Sequence, residues 1–382
     1  MSVYLDYNAS APIDSRVLEC MVDVYQNAYG NADSRTHTFG EKARTIVEDA
    51  RQQVAQLAGC KSNEVFFTSG ATESNNIAIQ GLKEYGEKAG KKHIIVSMIE
   101  HKAILETAHH MEEQGFEVDY VRPQRNGRLL VNDVCDLVRD DTLLVSIMHV
   151  NNETGIIQPV KEIGDALSTT GVLFHIDATQ SFGKLVEDIR NIKYDIMSVS
   201  AHKLSGPQGV GAIFLRRKRY KLPPIKPILF GGSQEHGIHP GTLPVALIAG
   251  FGKACEIADR EHNMVDSHCR LIKEHLKTLL DESSLEYSIN GEDEYSMCNT
   301  LNLRICGVSP EALMLATKEH CGISNGSACN SSDYSPSYVL RAMGIPDEEI
   351  MESIRISWGG RDDVELIKEE FEELLHIAQE LK

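Results

Sequence analysis

The sequence predicts an α/β fold in which a large domain on a mostly parallel sheet is followed by a smaller α+β domain. Three observations carry this. From about residue 15 to 255, segments of helical period alternate with short runs that are apolar on both faces, as strands covered by helices on either side must be. Polar residues suited to chemistry stand where those runs end, which is where parallel sheets bind ligands. A long helical pattern, residues 245–280, then gives way to two further strands and an amphipathic final helix.

Taken in order, Glu64-Val65-Phe66-Phe67-Thr68 reads as a strand, and the small-residue turn Ser69-Gly70-Ala71-Thr72-Glu73-Ser74 opens a helix through Asn76, Ile77, Ile79 and Leu82. Apolar runs follow at His93-Ile94-Ile95-Val96-Ser97, Val118-Asp119-Tyr120-Val121, Leu143-Leu144-Val145-Ser146-Ile147, and residues 173–177, 195–200 and 210–215. Pro223, Pro224, Pro227 and Gly231-Gly232 mark a loop before the turn Gly241-Thr242-Leu243-Pro244. Strands are expected at residues 300–305 and 353–357, and a closing helix carries Val364, Ile367, Phe371, Leu374, Ala378 and Leu381 on one face. The expected division is a large domain over residues 15–255 and a small one over 1–14 and 256–382.

A chain of 382 residues, 42% hydrophobic and 25% charged, is long enough for two cores. The N-terminus lacks a basic region followed by an apolar stretch, and no apolar run approaches the ~18 residues of a membrane span; a cytoplasmic location with no membrane partner is expected. Nine cysteines without a disulfide-like framework read as reduced. The net charge of -18 disfavours direct nucleic-acid binding, which needs clustered Lys and Arg. The one basic run, Arg216-Arg217-Lys218-Arg219-Tyr220-Lys221, follows an apolar run and reads as a solvated strand end, with a docking patch for an acidic partner as its alternative.

Asp177 and Lys203 each stand where a buried strand gives way to a polar turn. Alone, the first reads as a turn or cap residue and the second as a solvated charge. Together they are what pyridoxal 5'-phosphate requires, an amine to attach it and a carboxylate to keep its ring nitrogen protonated. Gln180 is spaced to meet the phenolic oxygen, and Ser200 and His202 flank the lysine with donors for a phosphate. The turn at Gly70, Ala71 and Thr72 offers free backbone N–H groups to the same anion. The segment from Ser324 to Pro336 is small and polar, a mobile loop by composition, and it exposes Cys329 as a candidate nucleophile.

Ordered matches at Ser69 to Ser74, Glu100-His101-Lys102-Ala103, His149-Val150-Asn151-Asn152-Glu153, His175 to Gln180, Ala201-His202-Lys203, Gly241-Thr242, Gly326-Ser327-Ala328-Cys329 and Pro336 to Arg341 extend this pattern. On these stretches the chain resembles the NifS/IscS-type cysteine desulfurases from Tyr4-Leu5-Asp6 almost to its C-terminus. The resemblance implies a fold-type-I pyridoxal-phosphate enzyme with a seven-stranded type of sheet, a homodimer, and conversion of L-cysteine to L-alanine with an enzyme persulfide. It implies that Lys203 binds the cofactor and shuttles the Cα proton, that His101 stacks on the ring as acid or base, and that Asp177 and Gln180 tune the ring. Ala71, Thr72, Ser200 and His202 would hold the phosphate, with Thr242 coming from the other subunit. Asn152, also at the cofactor, and Arg355 would bind the substrate carboxylate, and Cys329 would take the sulfur. Six residues separate Cys329 from Pro336, a spacing like that of the IscS-like group rather than the SufS-like one.

Three departures stand out. His236 and His239 occupy positions where these relatives usually have Arg, and Asn31-Ala32-Asp33 replaces an asparagine-proline pair. The chain ends at Lys382, without the tail by which IscS-like proteins grip an iron-sulfur scaffold. The expected sulfur acceptor is therefore a protein of iron-sulfur assembly, of tRNA thiolation or of DNA phosphorothioation, with the missing tail favouring a dedicated acceptor. A transaminase or selenocysteine lyase is the competing enzyme reading. The Gly206, Gly209, Gly211 spacing runs opposite to a dinucleotide fingerprint, and Cys298, Cys306, Cys321 and Cys329 are poorly spaced for a metal, so no metal site is expected.

Overall fold

The computed structural model describes residues 2–218, 220–326 and 336–382. Its central sheet has seven strands in the order Val65–Thr68, Gly211–Leu215, Ile196–Ser200, Leu173–Asp177, Thr142–Met148, His93–Ser97 and Glu117–Val121. The last five pair in parallel, and Gly211–Leu215 runs antiparallel to both its neighbours. The mostly parallel seven-stranded sheet expected from the sequence is thus present. Every residue of Thr142–Met148 is buried, which is why this run is apolar without alternation.

Helices cover both faces. Thr38–Ala58 and the first half of Val245–Glu282 pack one side, through Val47, Val54, Ile248 and Phe251. Ala71–Gln80 and Lys102–Glu113 pack the other, through Ile77, Ile79, Ile104 and Met111. Val245–Glu282 has 38 residues, about 57 Å at 1.5 Å per residue, and serves two cores. Its second half gives Cys269, Ile272, Leu276 and Leu280 to a separate cluster.

That second cluster lies under a three-stranded antiparallel sheet, Ser353–Ser357, Thr300–Ile305 and Tyr287–Ile289. The final helix, Val364–Glu380, is capped by Asp363, whose carboxylate accepts from Glu365 and Leu366 N–H, and buries Ile367, Phe371, Leu374 and Ala378. The N-terminus joins this side: Val3–Tyr4 pairs in parallel with Cys321–Gly322, and Leu5 sits in the same cluster. Tyr287–Ile289, Cys321–Gly322, Tyr338–Ala342 and Asp347–Ile350 were not legible as elements, being too short for a period to register. Among the described residues no helix is long and apolar enough to cross a membrane.

In the basic run, Arg216 lies over the Tyr194 ring at 5.4 Å and Lys218 pairs with Asp195 at 2.6 Å. These charges are partly answered within the fold, as the strand-end reading anticipates; Arg219 lies outside the described residues.

Trp358 is the chain's single tryptophan. It is fully buried in the second cluster, its Nε1 donating to Cys269 O at 3.1 Å. Phe371→Ala should therefore lower the unfolding free energy by ~3–5 kcal/mol, read from the shift in denaturant midpoint of the Trp358 emission. An unchanged midpoint would contradict the packing of the final helix against this sheet.

Candidate active site

Leu173–Asp177 and Ile196–Ser200 are parallel neighbours, so their carboxyl ends open on the same edge. Asp177 ends the first strand, and Lys203 closes the 3-10 turn Ala201–Lys203 directly after the second. Both line a cavity of about 590 Å³. His101, Gln180, Asn152, Ser200, His202 and Arg355 line it too, as do Ala71 and Thr72.

One wall is the start of Ala71–Gln80. Gly70 precedes it with φ +155° and ψ −179°, and no side chain caps the helix, which leaves its first N–H groups without intrahelical partners. A Cβ on Gly211 would stand 2.8 Å from Gly70 Cα, so the neighbouring strand must carry glycine there. Glu73 fastens the turn from within: its Oε2 accepts from Ser69 N at 2.7 Å and Ser69 Oγ at 2.8 Å, and lies 3.0 Å from His239 Nε2. The adjoining loop is fixed by Glu235, buried against Arg51 at 2.7 Å and accepting from Phe67 N at 2.7 Å. His236 meets the Phe66 ring edge-on at 5.9 Å.

The opposite wall is electrostatic. Asp177 Oδ2 accepts from Asn75 Nδ2 at 2.8 Å, and Oδ1 from Thr179 N at 3.0 Å and Oγ1 at 2.5 Å. Lys203 Nζ donates to Asn8 O at 2.5 Å and Ala9 O at 2.7 Å. Burial, then the charges of Lys184 and Arg355, lower its pKa to about 7 against the opposing pull of Asp6 and Asp177. Burial likewise lowers His101. His101 Nδ1 accepts from Ala103 N at 3.1 Å, so the proton of its neutral ring resides on Nε2. Burial takes His202 down to about 4, with the Lys203 charge adding to it.

Arg355 donates through Nη2 to Asp6 Oδ1 at 2.6 Å and through Nη1 to Asn152 O at 3.0 Å. Gln180 Nε2 donates to Asn8 O at 2.9 Å. Around the cavity, Gln180 Oε1, Asn152 Oδ1, Asn75 Oδ1 and Arg355 Nε are buried without a hydrogen-bond partner among the described residues. Such atoms are costly unless something polar answers them. With an open helix N-terminus, a carboxylate and a lysine of lowered pKa on one cavity, the residues fit pyridoxal phosphate.

The fold thus brings together every expected site residue except two. Thr242 is exposed and does not line this cavity within its own chain. Cys329 lies outside the described residues, although Gly326, three positions before it, lines the cavity. Sequence reasoning missed Asn75 and the Asn8 and Ala9 carbonyls. Asn75 carried a signal, a polar side chain on a helix face that is otherwise apolar; the carbonyls carried none, because backbone contacts leave no mark in residue type.

The class-V aminotransferase profile matches residues 3–368. The cysteine desulfurase IscS of Anaeromyxobacter dehalogenans (strain 2CP-C) is 43% identical over 359 residues, covering 94% of this chain and 87% of that relative. The namesake from Pectobacterium carotovorum is 44% identical over 362 residues, covering 94% and 88%. Among solved structures, a NifS-like protein superposes with a TM-score of 0.92 at 35% identity, covering all of both chains. DndA from Streptomyces lividans gives 0.81 at 41%, covering 94% of this chain and 99% of its own. SspA in complex with cysteine gives 0.82 at 35%, covering 95% and 100%. The chain belongs to the aminotransferase class-V family, with the fold-type-I architecture of its pyridoxal-phosphate enzymes. Within that family it is a pyridoxal-phosphate-dependent cysteine desulfurase.

The Glu73–His239 pair makes a pH prediction. Burial opposes ionisation of Glu73, but hydrogen bonds from His239 and Ser69 outweigh it and bring the carboxyl to about 2. The bond to Glu73 raises His239. A lowered acid contributes stability above its unfolded pKa, and a raised base contributes below its own. The pair's contribution is therefore complete between about 4.5 and 6.5. It is lost as pH falls through about 2 or rises through the folded pKa of His239. Denaturation midpoints of wild type and Glu73→Gln should differ most inside that window; a constant difference across pH would show the pair to be uncoupled from folding.

Proposed function

We propose that this cavity converts L-cysteine to L-alanine and passes the sulfur to Cys329 as a persulfide. The observation that carries the reading is the convergence of Lys203, Asp177 and the open N-terminus of Ala71–Gln80 on one cavity whose rim includes Gly326. The likeness to SspA in complex with cysteine supports the substrate.

Pyridoxal phosphate, when bound to Lys203, supplies the electron sink that lets substrate Cα release its proton. Ala71, Thr72, Ser200 and His202 hold its phosphate, the N–H groups of the helix start favouring the anion. Asp177, braced by Asn75 and Thr179, would keep the ring nitrogen protonated, and Gln180 would serve the phenolic oxygen. Lys203, with its pKa lowered to about 7, is neutral in a large share of molecules at neutral pH; it therefore serves both as nucleophile and as carrier of the Cα proton. His101, neutral and protonated on Nε2, would face the cofactor and would exchange a proton with the substrate. Asn152 and Arg355 hold the substrate carboxylate, Arg355 with a planar fork already oriented by Asp6.

Cys329 then attacks as thiolate. Its Sγ forms a bond to the substrate Sγ while the substrate's Cβ–Sγ bond breaks. The electron pair stays on Cβ, which takes a proton to complete the methyl group of alanine. No outside oxidant is needed, because the sulfur leaves as a sulfane and the carbon is reduced by the same electron pair.

Two copies assemble, with Thr242 completing the phosphate site of the other copy. Support comes from Leu18, Val22 and Tyr25, exposed along one face of the helix Ser15–Asn27, and from exposed Tyr29 just beyond it, with Phe39 stacked on Tyr29 at 5.7 Å. The persulfide goes on to an acceptor protein of iron-sulfur assembly or of DNA or tRNA sulfur modification; relatives named IscS and DndA stand at nearly the same identity. The work is cytoplasmic, in keeping with eight free thiols among the described residues.

Lys203→Ala should abolish the yellow colour that the covalently attached cofactor gives the purified protein; a variant as yellow as wild type would remove the lysine from its role. Cys329→Ser should retain the spectral response to L-cysteine and lose alanine release by ~10²-fold or more. Mass spectrometry of the wild type after one turnover should find the added sulfur on Cys329, and sulfur on Cys298 or Cys321 instead would refute the assignment.

A further inference from the structure

Glu100 is fully buried and unused by any role above. A carboxyl in such a place is costly unless it is well bonded. Its Oε1 accepts from Ser97 Oγ at 2.6 Å and from Met148 N at 2.7 Å, while Oε2 has no partner among the described residues. Burial outweighs those two bonds and, with the charge of Asp177 adding to it, raises the carboxyl to about 8. At neutral pH the group is therefore largely the uncharged acid, with Oε1 as acceptor and the proton on Oε2.

The two bonds join neighbouring strands at their carboxyl ends. Ser97 ends His93–Ser97 and Met148 ends Thr142–Met148, and these strands are parallel partners. Only Met98, Ile99 and Glu100 stand between the first strand and His101, which caps the helix Lys102–Glu113. Their main chain is tied as well: Met98 N donates to Val121 O at 2.9 Å, Asn151 Nδ2 to Ile99 O at 3.0 Å and Tyr338 Oη to Glu100 O at 2.8 Å. Of the three, only Glu100 has a side-chain oxygen to add to this set. On the far side of the turn, His101 Nδ1 accepts from Ala103 N at 3.1 Å. The ring is thus fixed to its helix, and the backbone before it to the sheet.

We propose that Glu100 is a positioning residue for His101: its buried carboxyl locks the turn between strand end and helix, and so sets where the His101 ring stands in the cavity. The inference rests on the reading of His101 as the group that exchanges a proton with the substrate. Glu100 itself does not line the cavity, whereas His101 does. Its influence on the reaction therefore passes through a neighbour, and the next residue in the chain is His101.

The test uses the holoenzyme and two readings, cofactor content from its absorption and alanine release from L-cysteine in a single turnover. Glu100→Asp draws the carboxyl back by one methylene, away from Ser97 and Met148. Release should slow by roughly 10- to 100-fold, the scale of a small misplacement of a reacting group, with cofactor content unchanged. Glu100→Gln keeps an oxygen for both donors and a neutral group in place of the protonated Oε2, so its rate should stay within about threefold of wild type. The deciding measurement is a double-mutant cycle. In a His101→Gln background, itself slowed, Glu100→Asp should slow release by less than about twofold more, because a residue that acts through His101 has nothing left to act on. Slowing by the same factor in both backgrounds overturns the proposal, as does wild-type release in Glu100→Asp or loss of cofactor from it, which would make Glu100 a support of the whole cavity. If Glu100→Asp does not fold, Ser97→Ala, which removes one of the two donors, takes its place in the cycle under the same criteria. Wild-type release in His101→Gln removes the reading of His101 itself; slowed release there with normal release in Glu100→Asp removes only the role of Glu100.

Discussion

Two parallel strands that end side by side set the geometry on which the rest of the molecule depends. The ladder between Leu173–Asp177 and Ile196–Ser200, with Asp177 opposite Ser198, places a carboxylate and, one 3-10 turn later, an amine on the same edge of a sheet. Strand spacing in such a ladder is fixed near 4.8 Å, so the separation of the two groups is a property of the backbone. A one-residue slip would turn Asp177 to the opposite face of the sheet. His175 guards against this: its ring nitrogens bond Ser146 Oγ at 2.7 Å and Ser198 Oγ at 2.9 Å, tying three adjacent strands in one register. Burial lowers its pKa to about 4, so the brace is neutral and brings no second cation beneath the site.

Burial acts in the same sense on the bases of this edge. It favours the uncharged forms of His101, His202 and Lys203 alike. For the histidines this gives rings that donate and accept as neutral groups. For Lys203 the nearby charges of Lys184 and Arg355 add to the effect and bring the amine down to about 7. The carboxylate facing them is held by hydrogen bonds from Asn75 and Thr179. The same low-dielectric pocket therefore favours the uncharged forms of its bases while supplying donors to its acid.

Much of this was legible in the sequence because strand runs and strand ends are written in residue type. Val172 to Asp177 and Ile196 to Lys203 show an apolar run, a stop, and a chemically active residue; Thr300–Ile305 and Ser353–Ser357 were read to the residue for the same reason. What escaped was of two kinds. Strands of two or three residues such as Cys321–Gly322, and helices of four or five such as Tyr338–Ala342, have no room for a period. Contacts made by main-chain atoms, such as Lys203 with the Asn8 and Ala9 carbonyls, are invisible to any pattern of side chains. Thr242 was legible as a motif, yet this chain's fold leaves it outside its own cavity.

The N-terminal segment shows why those missed carbonyls matter. Val3–Tyr4 is paired with Cys321–Gly322, Tyr7 N and Asn8 N bond Ser357, and Asp6 pairs with Arg355. Two residues further on, the same segment accepts both hydrogen bonds of the Lys203 amine. Arg355, on the strand next to Asp6, is the group assigned to the substrate carboxylate, and Lys203 is the group assigned to its Cα proton. Residues 6–9 therefore join these two, through backbone carbonyls and one ion pair. Asp6 and the carbonyls of Asn8 and Ala9 thus tie the Arg355 and Lys203 side chains to one run of four consecutive residues.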